Sequence, residues 1–461
     1  MRNLFRIGCG AGFGGDRLDA AIPVVRSLIA SGGPASLMFE TLAERTLALA
    51  QLARADGSVG YDPYLLDRLR PILAACLHHG ITIVGNFGAA DPSAAAQAIG
   101  ALAQELELRA PRIFVVTGDD LMASSHQGDI APILRDCLPP DTAPLSANTY
   151  LGATEIRDAL LAGADIVVTG RVADPALALG SAAAHFDWSF DDLDLIAAGT
   201  MAGHLLECGG QVTGGYFADP GHKDVVGLAD LGFPIVELSA DGSLVVTKPA
   251  GTGGCVTAAT VKEQLLYEIH DPAAYLTPDV VLDLTDVHVG EQGHDRVALR
   301  GARGKPRPAT LKATVCYDGG FLGEGGISYS GPNAEARARL AADILRSRLG
   351  RDMDLQASLV STQADMVALV DDSSSLQIGA TPPPFDTMTP PQRDVRLHIA
   401  VRAPDRKRVE HVMHELGALY TCGPGGGGGV RSTIRSRVYT SSALIPRELV
   451  RASYFEWKGE R

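Results

Sequence analysis

Five short β-rich runs alternate with Ala/Leu-rich stretches over the first 190 or so residues, and this alternation limits the fold more than any other feature. The runs are 4–7, 36–39, 81–84, 112–117 and 165–169; helical stretches read at 44–54, 64–78, 93–107 and 155–162. Strand and helix taking turns imply an α/β fold: a mostly parallel sheet with covering helices, of the doubly wound type. Polar residues follow each run: Asp16 and Arg17 after the first, then Glu40, Asn86, Asp119 with Asp120, and Arg171. Ligands of open α/β sheets bind beyond the carboxyl ends of the strands, so these residues are expected in one crevice. The alternative for each is a helix cap or a turn residue.

The first run leads into a glycine-rich turn holding Gly8, Gly10, Gly12, Gly14 and Gly15. A glycine turn between strand and helix presents free N–H groups, which favours an anion. Gly10, Gly12, Gly14, Gly15 and Arg17 are therefore expected to bind a phosphate or carboxylate, with Asn86 nearby. Gly10, Gly12 and Gly15 also satisfy G-x-G-x-x-G, with Glu40 closing the next strand, the arrangement used for dinucleotides. The match is loose, because Phe13 sits in the loop and Asp16 would oppose a pyrophosphate.

The chain has 461 residues, which points to two domains. The division expected is an α/β domain over 1–270 and an α+β domain over 271–461, the latter with a proline-rich loop at 381–391 and a glycine run at 423–429. A net charge of −14 argues against nucleic acid as a partner. Seven scattered cysteines without C-x-x-C spacing indicate a reducing compartment rather than a disulfide framework. No long uncharged apolar stretch and no signal-like start are seen, so a cytoplasmic protein without a membrane span is expected.

Further constellations carry possible chemistry. Asp119 and Asp120 leave a buried strand together, as an acid/base pair or cation ligands would. Asp174-Pro175 reads as a helix start, whereas Arg171 is placed to fork onto a carboxylate or phosphate. His204, Glu207 and Cys208 fall at i, i+3 and i+4 of a helix and share a face. They suit an acid/base pair or a metal, or a His–Glu hydrogen bond beside a buried cysteine. Lys248 precedes a loop with Gly251 and Gly253, a second anion cradle, although its spacing is not that of a P-loop. Gly425 and Gly426 with Arg431 form a third, read as a backbone nest.

In order, these segments resemble the acyclic terpene utilisation AtuA family. The resemblance is carried by Gly-Phe-Gly-Gly-Asp-Arg at 12–17, Thr-Gly-Asp-Asp at 117–120 and Ala-Asn-Thr-Tyr-Leu-Gly-Ala at 147–153. It continues in the segments 169–180, 202–209, 246–254 and 261–272 and the C-terminal glycine turn. It implies a place in bacterial catabolic operons for branched isoprenoid acids, and so a carboxylate or a CoA thioester as substrate, with CoA part of that substrate. It assigns no reaction.

The resulting expectation is an enzyme of the lyase class, a hydratase or dehydratase. Asp119, Asp120, His204 and Glu207 would share the acid/base work, or Asp119, His204 and Glu207 would hold a divalent metal. Arg171 and Lys248 would neutralise substrate charge. The alternatives are a non-catalytic subunit of a multi-component acyl-CoA enzyme and a nucleotide-dependent oxidoreductase. Longer relatives carry a ferredoxin-like C-terminal module or have a small protein encoded beside them. A homo-oligomer, and a small separate subunit in place of that module, are the partners expected besides the anionic substrate.

Overall fold

The computed structural model describes residues 4–349, 354–362, 369–370, 376–377 and 394–459. The proline-rich loop at 381–391 lies outside them. The chain divides into two compact units, Met1–Tyr317 with Thr440–Arg461, and Asp318–Tyr439.

The first unit is built on a mixed ten-stranded sheet. Its centre is parallel: β1 (Leu4–Ala11), β2 (Ala35–Phe39), β3 (Thr82–Gly85) and β4 (Ile113–Thr117), while β5 (Pro144–Thr149) leaves the sheet and β6 (Ile166–Thr169) inserts between β3 and β4. All five runs read from the sequence are these parallel strands. On the far side of β1 the sheet continues antiparallel through β7 (Ile235–Ser239), β8 (Leu244–Thr247) and the ribbon Arg296–Arg300 and His288–Gly293. Ser453–Trp457 closes the opposite edge, antiparallel to β4. The sequence reading did not foresee this antiparallel flank or the C-terminal edge strand.

Register aligns the strand ends. Ala11 pairs with Phe39, Phe39 with Gly85, Gly85 with Val168, and Val116 with Thr169. Glu40, Asn86, Asp119 and Arg171 therefore leave the sheet along one edge. The helical stretch at 64–78 is two helices, Leu65–Leu69 and Leu73–His79. Pro71 falls between them and lacks the N–H that a continuous helix needs.

Two helices made of small and apolar residues pack centrally. Ala176–Phe186 is buried from Ala176 to Ala183, and Leu193–Glu207 is buried from Ile196 to its last residue. A helix apolar on every face belongs inside. At roughly 1.5–3 kcal/mol per large buried side chain, Ile196, Met201, Leu205 and Leu206 hold the second helix firmly. Its C-terminal turn meets the end of β1.

Apart from the two-residue strands Leu369–Val370 and Leu376–Gln377, which pair with each other, the described elements of the second unit run strand, helix, strand, strand, helix, strand. Asp354–Thr362 and the end of Thr310–Tyr329 flank Asp394–Ala403 antiparallel, and Gly427–Pro446 lies beyond Thr310–Tyr329. Helices Ala334–Leu349 and Arg406–Cys422 cover this sheet through Ala338, Leu345, Val409 and Leu416, packed on Leu397, Ile399 and Val401. This β-α-β-β-α-β arrangement is the ferredoxin-like pattern.

The close contact between β1 and the buried helix generates a stability prediction. A Cβ at Gly12 would lie 2.1 Å from the Gly209 nitrogen and 2.4 Å from the Glu207 carbonyl oxygen. Backbone cannot yield as a side chain does, so Gly12→Ala should destabilise the unit by about 1–3 kcal/mol. The readout is a lower urea midpoint at an unchanged slope.

Candidate functional site

Along the aligned edge, a polar side chain first has to be held. Glu40 Oε1 accepts from Asn86 Nδ2 at 2.9 Å and from the Leu42 N–H at 2.9 Å, while Asn86 Oδ1 accepts from the Thr41 N–H at 2.7 Å. Asn86 is fully buried. It positions Glu40 rather than reaching for an anion. Burial, with Asp174 nearby, pushes the Glu40 carboxyl well above the ordinary carboxylate range, against the opposing pull of Arg171 and Asn86.

Arg171 is the centre of the site. Its guanidinium is buried, donates to the carbonyls of Val172 and Leu42, pairs with Asp174, and lies 4.4 Å from the centre of the Tyr150 ring. The sequence placed Asp174 as a helix cap; instead its carboxylate turns back to this charge, and Pro175 takes the cap position before Ala176. Asp174 is largely surrounded by protein, yet its side chain is 36% open to solvent. Burial pushes it up to about 6, with Arg171 opposing and Glu207 adding to the rise. Tyr150 donates to Glu44 Oε1 at 2.5 Å, and Lys312 to the same oxygen at 3.0 Å. Burial would raise Glu44, but these donors hold it down at about 2. Tyr150, Glu44 and Lys312 were not foreseen, because neither spacing nor motif links them.

His204 and Glu207 arrive on the last turn of the buried helix. His204 Nδ1 and Glu207 Oε1 are 2.6 Å apart, as the i, i+3 spacing allows. Burial would lower the imidazole pKa, but Glu207 outweighs it and the net shift is upward. His204 Nε2 and Glu207 Oε2 are buried without a well-formed hydrogen bond, with the Leu265 and Gln264 backbone close enough to His204 to help raise its pKa. Tyr275 packs on the imidazole at 5.3 Å between ring centres. Cys208 is pushed up by burial and by Glu207, so its sulfur stays a thiol and is no ready nucleophile.

Asp119 joins this group to a second basin. Its Oδ2 accepts from the Arg171 N–H at 3.0 Å and from Asn148 Nδ2 at 2.9 Å. Burial pushes Asp119 up to about 6, against the pull of those donors. Beside it opens a cavity of about 470 Å³ lined by Asp119, Asp120, Asn148, Arg54 and Arg451 among others. Asp120 caps the short turn Leu121–Ala123 by accepting from the Met122 N–H at 2.9 Å.

The glycine turns have structural partners. Gly10 belongs to β1, where a Cβ would strike the Phe39 ring. The Gly12 N–H donates to Asp16 at 2.8 Å, and the buried Arg68 donates to the Gly14 carbonyl at 2.7 Å. A Cβ at Gly15 would meet Phe13. The next helix begins only at Ala21, so the strand–glycine–helix geometry of a dinucleotide site is not formed. Arg17 holds the Ala229 and Leu231 carbonyls at 2.6 and 3.0 Å. Lys248 donates to the Thr252 carbonyl at 2.8 Å and pairs with Asp295 at 3.2 Å. Gly251 takes a left-handed turn, and Gly253 packs against Gly227, so Lys248 closes this loop internally. Gly425, Gly426 and Arg431 belong to the second unit, where Arg337 donates to the Gly425 carbonyl at 2.6 Å. Among the described residues no three His, Cys, Asp or Glu side chains are placed to hold a metal ion, which removes the geometric support for Asp119, His204 and Glu207 as a ligand set. Nor, among those residues, is any helix long and apolar enough to cross a membrane.

The model of the acyclic terpene utilisation family protein AtuA matches residues 5–455, nearly the whole chain. The chain therefore belongs to the acyclic terpene utilisation family. No curated protein and no solved structure matches it.

The raised Asp119 pKa makes a signed prediction. In the unfolded chain this carboxyl titrates near its ordinary value of 3.8, and in the fold at about 6. The fold thus favours the protonated form, and its stabilising effect is complete below 3.8 and lost as pH rises through 6. Asp119→Asn cannot titrate. Relative to Asp119→Asn, the unaltered protein should lose about 2–3 kcal/mol between pH 4 and pH 7. Urea titrations of both proteins across that range read the difference.

Proposed function

We propose that this member of the acyclic terpene utilisation family is a catabolic enzyme that transfers protons on a branched or isoprenoid acyl-CoA or carboxylic acid, as a hydratase, a dehydratase or another lyase. The observation that carries this reading is the Nε2 of His204, without a well-formed hydrogen bond and backed through Nδ1 by Glu207. An imidazole backed by a carboxylate on one nitrogen and without a well-formed hydrogen bond on the other is suited to proton transfer. Carboxyl groups that titrate near 6 supply the complementary acid, and Asp174 is the one open to solvent.

In the dehydration direction, His204 Nε2 takes the proton next to the substrate carbonyl. The electrons of that C–H bond form the new C=C bond as the neighbouring C–O bond breaks. The departing hydroxyl takes the Asp174 proton and leaves as water. Glu207 stabilises the imidazolium formed, and Arg171 the Asp174 carboxylate left behind. The proton on His204 then returns to Asp174 through solvent, and hydration runs the same steps backwards. Burial and the charge of Glu207 raise Asp174 and so keep its proton available. The role in substrate neutralisation expected for Arg171 and Lys248 passes elsewhere, since both are occupied by groups of the protein itself.

Exchange of the proton next to the carbonyl in heavy water tests the reading without requiring the full reaction. Branched acyl-CoA thioesters and their free acids are incubated with the protein, and exchange is followed by mass. The unaltered protein should exchange at least one of them. His204→Gln should slow exchange by about 10²–10⁴-fold, and Glu207→Gln by less. Exchange absent with every such compound, or equally fast in His204→Gln, overturns the proposal.

A further inference from the structure

We propose that the cavity of about 470 Å³ beside Asp119 binds a small organic anion, its carboxylate or phosphate held between Arg54 and Arg451. This inference does not depend on the acid–base reading.

The volume is that of a small-molecule pocket. Both arginines line it, and neither has a carboxylate partner among the described residues. Arg54 uses one Nη on the Ala90 carbonyl, at 2.9 Å, and Arg451 makes no hydrogen bond or ion pair there. Two guanidinium groups with free donors at one concavity favour carboxylate or phosphate oxygens.

The lining also carries three carboxyl groups, whose charge opposes an anion and confines it to the arginine side of the pocket. Each accepts from N–H donors of the protein, which occupies its oxygens without removing its charge. Asp91 accepts from the Ala94 N–H at the start of helix Pro92–Glu105, Asp120 from the Met122 N–H, and Asp119 from Arg171 and Asn148. Asp119 also holds its proton up to about pH 6. The remaining wall offers Leu121, Leu449 and Val450 to an apolar body. The ligand class is thus an organic acid or phosphate ester with a short apolar part.

The backbone places Arg451 there deliberately. Gly118 has φ +110, and a Cβ on it would lie 2.2 Å from the Arg451 carbonyl oxygen. Only glycine lets the segment before Ser453–Trp457 come down over the end of β4. The end of the chain thereby completes a site begun by the parallel strands.

The full chain is titrated with inorganic phosphate, followed by phosphorus NMR, and with butyrate, followed by saturation-transfer NMR. At least one should saturate at millimolar concentration. Arg54→Ala and Arg451→Ala, both at exposed positions, should each weaken that binding about tenfold, the scale of one charge-assisted hydrogen bond. Arg26→Ala, an exposed arginine on helix Ala21–Ser31, should leave it unchanged. Saturation by phosphate alone assigns a phosphate-bearing ligand, and by butyrate alone a carboxylate. His204→Gln should bind the same probe normally, so failure of the acid–base reading leaves this result standing. If neither probe saturates, or if both arginine variants bind like the unaltered protein, the proposal is wrong.

Discussion

The candidate site depends on one buried cation. Arg171 lies under the loops that leave the sheet, and its side chain joins Leu42, Val172, Asp174 and Tyr150 while its backbone N–H holds Asp119. Four segments far apart in sequence thus meet at one residue. A lysine would supply the charge without the planar fork that reaches several acceptors at once. Loss of the Asp174 carboxylate would cost about 3–5 kcal/mol, because the buried guanidinium left behind has no water to solvate it.

The neighbouring carboxyl groups follow from that cation. Glu40, Asp174 and Asp119 stand close to Arg171, yet all three titrate above their ordinary range. Desolvation outweighs the arginine in each case. Glu44 shows the opposite balance, since two direct donors, Tyr150 and Lys312, overcome its burial. Glu40 and Asp119 also accept two hydrogen bonds each and are raised all the same, so neither nearby charge nor hydrogen bonds suffice when burial is complete; Glu44, the more exposed carboxyl, is the one its donors can hold down.

Much of this was legible in the sequence, and the rest had a physical reason to be hidden. The parallel strands were readable because each is a short apolar run with a polar residue at its end, and register alone brings Glu40, Asn86, Asp119 and Arg171 to one edge. The His204–Glu207 pair was readable because helical spacing is local. Tyr150, Tyr275, Arg54 and Arg451 carry no local signature; only the folded chain brings them in. Asp174 was misread through a local rule, since Asp-Pro favours a helix start, but a buried guanidinium three residues earlier competes more strongly than a cap. The inner hairpin of the antiparallel flank did have a local signature, two short apolar runs on either side of Asp241-Gly242, which the sequence reading passed over.

The glycine-rich turn shows why the same residues support two readings. Glycine permits close approach of backbone to a ligand, and equally of backbone to backbone. Here Gly12 meets the end of helix Leu193–Glu207, with Gly209 on the other side of the contact. That helix is the one that carries His204 and Glu207. Asp16 and Arg68 fix the turn from within, through the Gly12 N–H and the Gly14 carbonyl. The turn thus bears on the site by setting where the helix end lies. A bulkier side chain at Gly12 would push on the carbonyl of Glu207 before it met any substrate. Of the glycines that sequence reasoning assigns to a ligand, Gly12 is, in this fold, the surface against which the helix end with His204 and Glu207 is seated.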